Sequence, residues 1–222
     1  MRKLVTYFFI LFCVNVFAQH TYIFDYCMIY EYKDNENSPS LSKRFIYVNS
    51  QKTGYFLLLH FDLRKESSQV ALFDVNNDTQ YIYTTEQLIP IDSVNIDELF
   101  AKPIKLHYSF SEYRKRAEDK YDVSYIEENG VNKMILKAYQ NPKKKKLVAV
   151  QHFILQSHPE LKNQFYVNPA LVFAYKFDIT QVKTEDLVAE SYLINQESNT
   201  KEQIWKLIDI KPLDFQINIP AE

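Results

Sequence analysis

The sequence predicts a mainly β protein: an antiparallel, strongly curved sheet, built as a half-barrel, a barrel or a sandwich, with one or two short helices. Three observations carry this expectation. Apolar and polar residues alternate with a period of two along most of the chain, the spacing that puts one set of side chains on each face of a strand. The 17 Tyr and 16 Phe suit pleated, half-buried surfaces. Turn-forming residues separate the alternating runs, most clearly at Asn129-Gly130, the pair best able to adopt the positive φ angles of a two-residue hairpin turn.

The elements follow in order. From Thr21 to Lys33, Tyr22, Phe24, Tyr26, Met28, Tyr30 and Tyr32 are spaced to share one face of a long first strand, with Ile23, Asp25, Cys27, Ile29 and Glu31 on the other. A polar loop with Pro39 leads to Phe45-Ile46-Tyr47-Val48, and Tyr55 to Leu63 is apolar on both faces, as in a central, covered strand. Gln69 to Val75 and Gln80 to Thr84 flank Asn76-Asn77-Asp78, residues that favour turns, so a hairpin is expected. Between Pro90 and Pro103, Ser93 can cap a short helix through Asp97-Glu98-Leu99-Phe100. Ile104, Leu106, Tyr108 and Phe110 then alternate as a strand with one wet face. Ser111 to Lys120 carries Glu112/Arg116, Arg114/Glu118 and Lys115/Asp119 at i,i+4, the spacing of a short exposed helix.

Tyr121 to Glu128 and Val131 to Tyr139 form the hairpin around Asn129-Gly130, and Leu147 to Gln156 is another alternating run. The intervening Lys143 to Lys146 suits either an anionic lipid surface or a soluble loop that discourages edge pairing. Residues 168–177 read two ways: Asn168-Pro169 can open a helix, whereas Leu171, Phe173, Tyr175 and Phe177 alternate as a strand, the reading adopted. Leu187 to Asn195 and Gln203 to Lys211 form a hairpin across Gln196 to Thr200, and Phe215, Ile217 and Ile219 end the chain in one more short strand. The count is eleven to thirteen strands, with no repeat and no linker.

The first residues have a different role. Met1-Arg2-Lys3 is a positive n-region, Leu4 to Val14 an apolar run, and Val16-Phe17-Ala18 a cleavage site before Gln19. The apolar run falls short of the roughly 20 residues that span hydrocarbon. Phe12 before Cys13 does not fit a lipidation site. The chain therefore divides into a signal peptide, residues 1–18, and a single exported domain, residues 19–222, periplasmic or secreted and not membrane-spanning after cleavage. A transmembrane barrel is disfavoured, because charges fall on either face of the strands and Ile219-Pro220-Ala221-Glu222 offers no aromatic girdle.

Composition excludes several functions. The chain has 26 basic and 28 acidic residues; losing Arg2 and Lys3 leaves 24 against 28, a net charge of −4. That balance argues against a nucleic-acid partner. Cys13 leaves with the signal, so Cys27 stands alone as a buried small hydrophobe. With only 2 Gly in the chain, Gly54 and Gly130, phosphate loops, dinucleotide fingerprints and the G-x-S-x-G elbow are absent. His152 and His158 do not share a helical face, and His60, in an apolar strand, and His107, on an exposed face, read as structural rather than as metal ligands. Asp97-Glu98, Glu118-Asp119 and Glu127-Glu128 sit at turns or on charged surface. No catalytic residue, metal or cofactor is expected, and the chain does not read as an enzyme. Asn77-Asp78-Thr79 matches an N-x-T acceptor but is already explained as a turn.

The signal peptide, the long Tyr-rich first strand, the successive hairpins, the Lys-rich tip and the terminal hairpin with Trp205 resemble exported Bacteroidetes proteins of the GLPGLI type and half-barrel proteins similar to the periplasmic lipoprotein carriers. The G-L-P-G-L-I segment is absent; the nearest stretch is Val167-Asn168-Pro169-Ala170-Leu171-Val172. The resemblance implies a curved sheet with an apolar concave face able, in some relatives, to hold lipid. Two partners follow: a hydrophobic small molecule or lipid, bound by Tyr22, Phe24, Tyr26, Tyr30 and Tyr32, rings that otherwise fill or cover the core, or a protein of the cell envelope that meets a sheet face or edge.

Overall fold

The computed structural model describes residues 19–62, 67–85, 104–107, 121–140, 143–144, 146–162 and 185–220. They form eleven strands: β1 (Gln19–Asn35), β2 (Ser42–Val48), β3 (Tyr55–Asp62), β4 (Ser67–Asp74), β5 (Thr79–Thr85), β6 (Ile104–His107), β7 (Tyr121–Glu128), β8 (Val131–Tyr139), β9 (Leu147–Gln156), β10 (Leu187–Ile194) and β11 (Lys201–Pro220). All lie in one sheet, in the order β6-β5-β4-β3-β2-β1-β11-β10-β9-β8-β7. Each described ladder is antiparallel, and β6 and β7 are the two ends. The sheet is therefore open, which decides against the closed barrel and against a two-sheet sandwich. Both expected helices and the strand over residues 168–177 lie outside the described residues.

Local chemistry explains the hairpins. Asn129 and Gly130 take φ of 54° and 75°, closing β7 onto β8 at Glu128↔Val131 as the type I′ expectation requires. β4 turns into β5 at Asp74↔Thr79, where Asp78 has φ 51° and the Asn77 backbone N–H donates to Asp74 Oδ1 at 3.0 Å. β3 has the covered position expected of it, with Leu57 and Leu59 buried on one face and Phe56 on the other.

Two expectations need correction at the ends of the chain. The last two strands are one, β11, running through Pro212. Proline fits there because its partner Tyr26 lies at a register shift and, among the described residues, β10 pairs with β11 only along Lys201 to Lys206, so it interrupts no described ladder hydrogen bond.

The second correction concerns β1. Tyr22 and Phe24 pack with Cys27, Ile29, Tyr47 and Leu57 in one cluster, which we call the Phe24 face. Met28 and Tyr30, with Tyr26 and Tyr32 beside them, pack with Ile46, Phe56 and Trp205 on the opposite side, the Trp205 face. The six residues spaced to share one face are thus divided between two. The break is at Asp25, between the paired positions Phe24 and Tyr26. The ladder with β2 begins only at Tyr26↔Val48, and before it a loop replaces the strand. Asp25 accepts from the Ser50 backbone N–H at 2.7 Å and from its hydroxyl at 2.5 Å. The Ile23 carbonyl accepts from Asn49 Nδ2 at 3.0 Å and from the Tyr55 hydroxyl at 2.9 Å. These bonds hold the start of β1 in a different rotation from the rest.

The Trp205 face runs on into the second half of the sheet. Trp205 pairs with Ser191, Ser191 with Phe153 and Phe153 with Met134, a row of fully buried or nearly buried positions. Leu136, Leu155 and Val188 complete this part of the core. On the opposite side of β7 to β10, Ile126 and Val148 are exposed. The first half of the sheet is thus covered on both faces and the second half on one. Phe24, 0% exposed and in ring contact with Tyr47, Tyr55 and Phe215, anchors the double-covered half. Phe24→Ala should lower unfolding free energy by about 3–5 kcal/mol, against about 0.5 kcal/mol or less for exposed Ile208→Ala, measured by urea denaturation.

Candidate functional site

The five aromatic residues predicted to bind a ligand divide along with the faces of β1. On the Phe24 face, the Tyr22 ring meets Tyr55 edge-on at 5.1 Å, and its hydroxyl donates to Asp74 Oδ2 at 2.8 Å. Asp74 also accepts from Asn77 Nδ2 at 2.7 Å, so this buried carboxylate is well supplied with donors. Phe24 is stacked on Phe215 with centroids 5.5 Å apart. Tyr22 and Phe24 are both buried.

On the Trp205 face, Tyr30 is buried and donates its hydroxyl to the Val188 carbonyl at 2.8 Å. Val188 precedes a register shift on β10 and stands before the β10–β11 ladder begins, which leaves that carbonyl available. Tyr32 is half-buried, edge-on to Trp205 at 5.3 Å, with the Arg44 guanidinium 4.8 Å above its ring. Tyr26, also half-buried, donates to Glu160 and lies edge-on to His158 at 6.5 Å. The turn after β9 therefore reaches over this face, and Leu161 inserts fully into its core.

This face also carries an electrostatic anomaly. Gln151 Oε1, His158 Nδ1 and Trp205 Nε1 are buried without a hydrogen-bond partner. Gln151 is 1% exposed and Trp205 6%. Gln151 lies between Leu136 and Leu193 in the cross-strand row, one step along β9 from the row of Phe153. At the rim of the same face, an open cleft of about 250 Å³ is lined by Tyr125, Ile126, Glu127, Asn132, Lys133, Leu155 and Asp186. The sequence contained one signal for this region: Gln151 alternates with Ala149, Phe153 and Leu155 on the buried side of β9, a polar residue in an apolar row.

Of the histidines, His152 lies on the far side of β9, stacked on Tyr192 at 5.2 Å with Lys201 Nζ 4.1 Å from that tyrosine ring. Burial, then Lys133 and Lys201, hold its pKa below the usual value. Among the described residues no group of three or more His, Cys, Asp or Glu is placed to hold a metal ion.

Among solved structures, the chain is similar to the crystal structure of a LolA superfamily protein from Nitrosomonas europaea, with a TM-score of 0.35 and 12% identity over 87% of each chain. No family model and no curated protein matches the sequence. Among the described residues no helix is long and apolar enough to cross a membrane.

The buried acids make the domain sensitive to alkali. Burial pushes the Cys27 thiol from 9.0 up to about 12. It also raises the phenols of Tyr22 and Tyr30 well above their ordinary 10.0, with Asp74 adding to the effect at Tyr22. These groups stay neutral in the folded state and ionise on unfolding. Above pH 9 the unfolded chain therefore binds fewer protons than the folded one, so stability is complete below that pH and falls as pH rises toward the folded values. Urea midpoints should decline steadily from pH 9 to pH 11. In parallel, Cys27 should react with a thiol reagent at pH 8 only after denaturation.

Proposed function

We propose that this chain is an exported, non-catalytic binding domain that holds a hydrophobic ligand with a polar group against the Trp205 face. The supporting observation is the set of unpaired buried atoms on that face, Gln151 Oε1, His158 Nδ1 and Trp205 Nε1. Buried polar groups in close-packed cores are nearly always paired, and leaving one unpaired costs about 1–3 kcal/mol. An apolar surface that retains a donor and acceptors without partners suits an amphiphile. The ligand's hydrocarbon meets the core side chains, and its carbonyl, hydroxyl or amide meets these atoms.

In this reading Tyr26 and Tyr32, half-buried beside Trp205, contact the ligand, and Tyr30 braces them through Val188. Tyr22 and Phe24 serve the opposite face. Residues 1–18 export the domain to the periplasm or beyond, and the mature chain begins at Gln19.

Trp205 is the only tryptophan, so its emission reports directly on the site. Titration with a long-chain fatty acid below its critical micelle concentration should shift that emission saturably at one ligand per chain. Gln151→Leu should raise the apo unfolding temperature, by removing an unpaired buried oxygen, while weakening binding roughly tenfold. An emission insensitive to the fatty acid, or a Gln151→Leu protein less stable than its parent, contradicts the proposal.

A further inference from the structure

We infer that the uncovered face of β8 to β10, with the lysine tip between β8 and β9, is a docking surface for an anionic lipid bilayer. Charge is segregated here. The exported chain is acidic overall, yet between Asn129 and Pro159 it has six Lys and no Asp or Glu. Lysines near a strand end ordinarily discourage edge pairing. Topology removes that role: β8 is paired on both sides, by β7 and β9, and β9 by β8 and β10. Two of the six are engaged within the protein, Lys133 with Glu128 and Lys144 with Asp122. Lys137, Lys143 and Lys146 are exposed and make no ion pair among the described residues.

The register sets apolar side chains beside these charges. Lys137 pairs with Val150, Val150 with Ile194 and Ile194 with Lys201, in one cross-strand row. Val148, two residues back along β9 on the same face, is 47% exposed, and Val150 and Ile194 are half-buried. The alternate residues Leu136, Ala149, Gln151 and Leu193 are buried on the opposite side. The acids of this face already have cations: Asp122, opposite Lys137, holds Lys144, and Glu190 lies 3.8 Å from Lys201. What is left over is aliphatic surface and positive charge, and that pair selects the occupant. A soluble polyanion meets the lysines alone, whereas an anionic bilayer also takes aliphatic side chains below its headgroups. The strands themselves stay outside the hydrocarbon, so no backbone group loses its partner.

The test uses the full exported chain and two kinds of vesicle, phosphatidylcholine alone and an equimolar mixture with phosphatidylglycerol. The chain should co-sediment with the mixed vesicles only, and less as salt rises. The triple variant Lys137→Gln/Lys143→Gln/Lys146→Gln, its unfolding midpoint confirming an intact fold, should bind them at least about tenfold more weakly. Gln151→Leu, altered on the opposite side, should bind as the parent does, which separates this contact from the proposed ligand site. A polarity-sensitive dye on Val148→Cys should shift to the blue on the mixed vesicles. The same dye on Ile23→Cys, exposed near the start of β1 and away from the end that meets the Lys201 row, should not; Cys27 is buried and stays unlabelled. Equal binding to both vesicles, unchanged binding of the triple variant, or loss of binding in Gln151→Leu overturns the inference. So does sedimentation without a dye shift at Val148, which would assign the lysines to a soluble polyanion.

Discussion

The ladder between β1 and β11 is the interaction on which the rest of the structure depends. β1 to β6 follow one another as neighbours, and so do β7 to β11; the first and last strands then join the two halves, from Gln19↔Pro220 to Asn35↔Glu202. Every other described ladder is formed between consecutive strands. The seam therefore closes the longest loop in the molecule, whose entropy must be met by contacts made along it. Those contacts are aromatic: Phe24 on Phe215 on one face, Tyr30 and Tyr32 on Trp205 on the other. Tyr30 extends the join one strand further, past β11 to Val188 of β10. A topology of this kind, with its termini paired last, is expected to fold slowly.

The tyrosine content has a physical use beyond burying area. At two places where the ladder lapses, a phenol supplies a polar partner to the backbone. Tyr55 both donates to the Ile23 carbonyl and accepts from the Ile23 N–H, at 2.9 and 3.2 Å, where β1 has no β2 beside it. Tyr30 likewise donates to the Val188 carbonyl, and Tyr22 donates to the carboxylate of the buried Asp74. A ring that packs in the core and a hydroxyl that reaches backbone combine both needs in one residue. Against this pattern of satisfied atoms, the three unpaired ones on the Trp205 face stand out, and it is that contrast which makes the face, rather than the tyrosines in general, the candidate site.

Much of the fold was legible from local chemistry. Asn129-Gly130 and Asn76-Asn77-Asp78 encode their turns within a few residues, and alternation located the strands they join. The parity change at Asp25 was not legible, because the apolar spacing from Tyr22 to Tyr32 is unbroken and the cause lies far along the chain, in Asn49, Ser50 and Tyr55. The continuity of β11 through Pro212 was not legible for a related reason: a proline is tolerated inside a strand only where the neighbouring strand stops short, which lies outside the local sequence. The ligand-site expectation inherited the parity error, taking Tyr22 and Phe24 together with Tyr26, Tyr30 and Tyr32. Trp205 and His158 gave no local sign, since being unpaired depends on what covers a side chain in three dimensions.

Placing a ligand on the Trp205 face makes a sharp structural claim, because both faces of the first half of the sheet carry an apolar cluster and, among the described residues, the unpaired atoms lie on one side of the sheet. Nuclear Overhauser contacts from a ¹³C-labelled fatty acid bound to the exported domain decide it most directly. The account predicts contacts to the Trp205 indole and to Tyr26 and Tyr32. Contacts to Phe24, Tyr47 and Phe215 instead would place the ligand on the opposite face and contradict it.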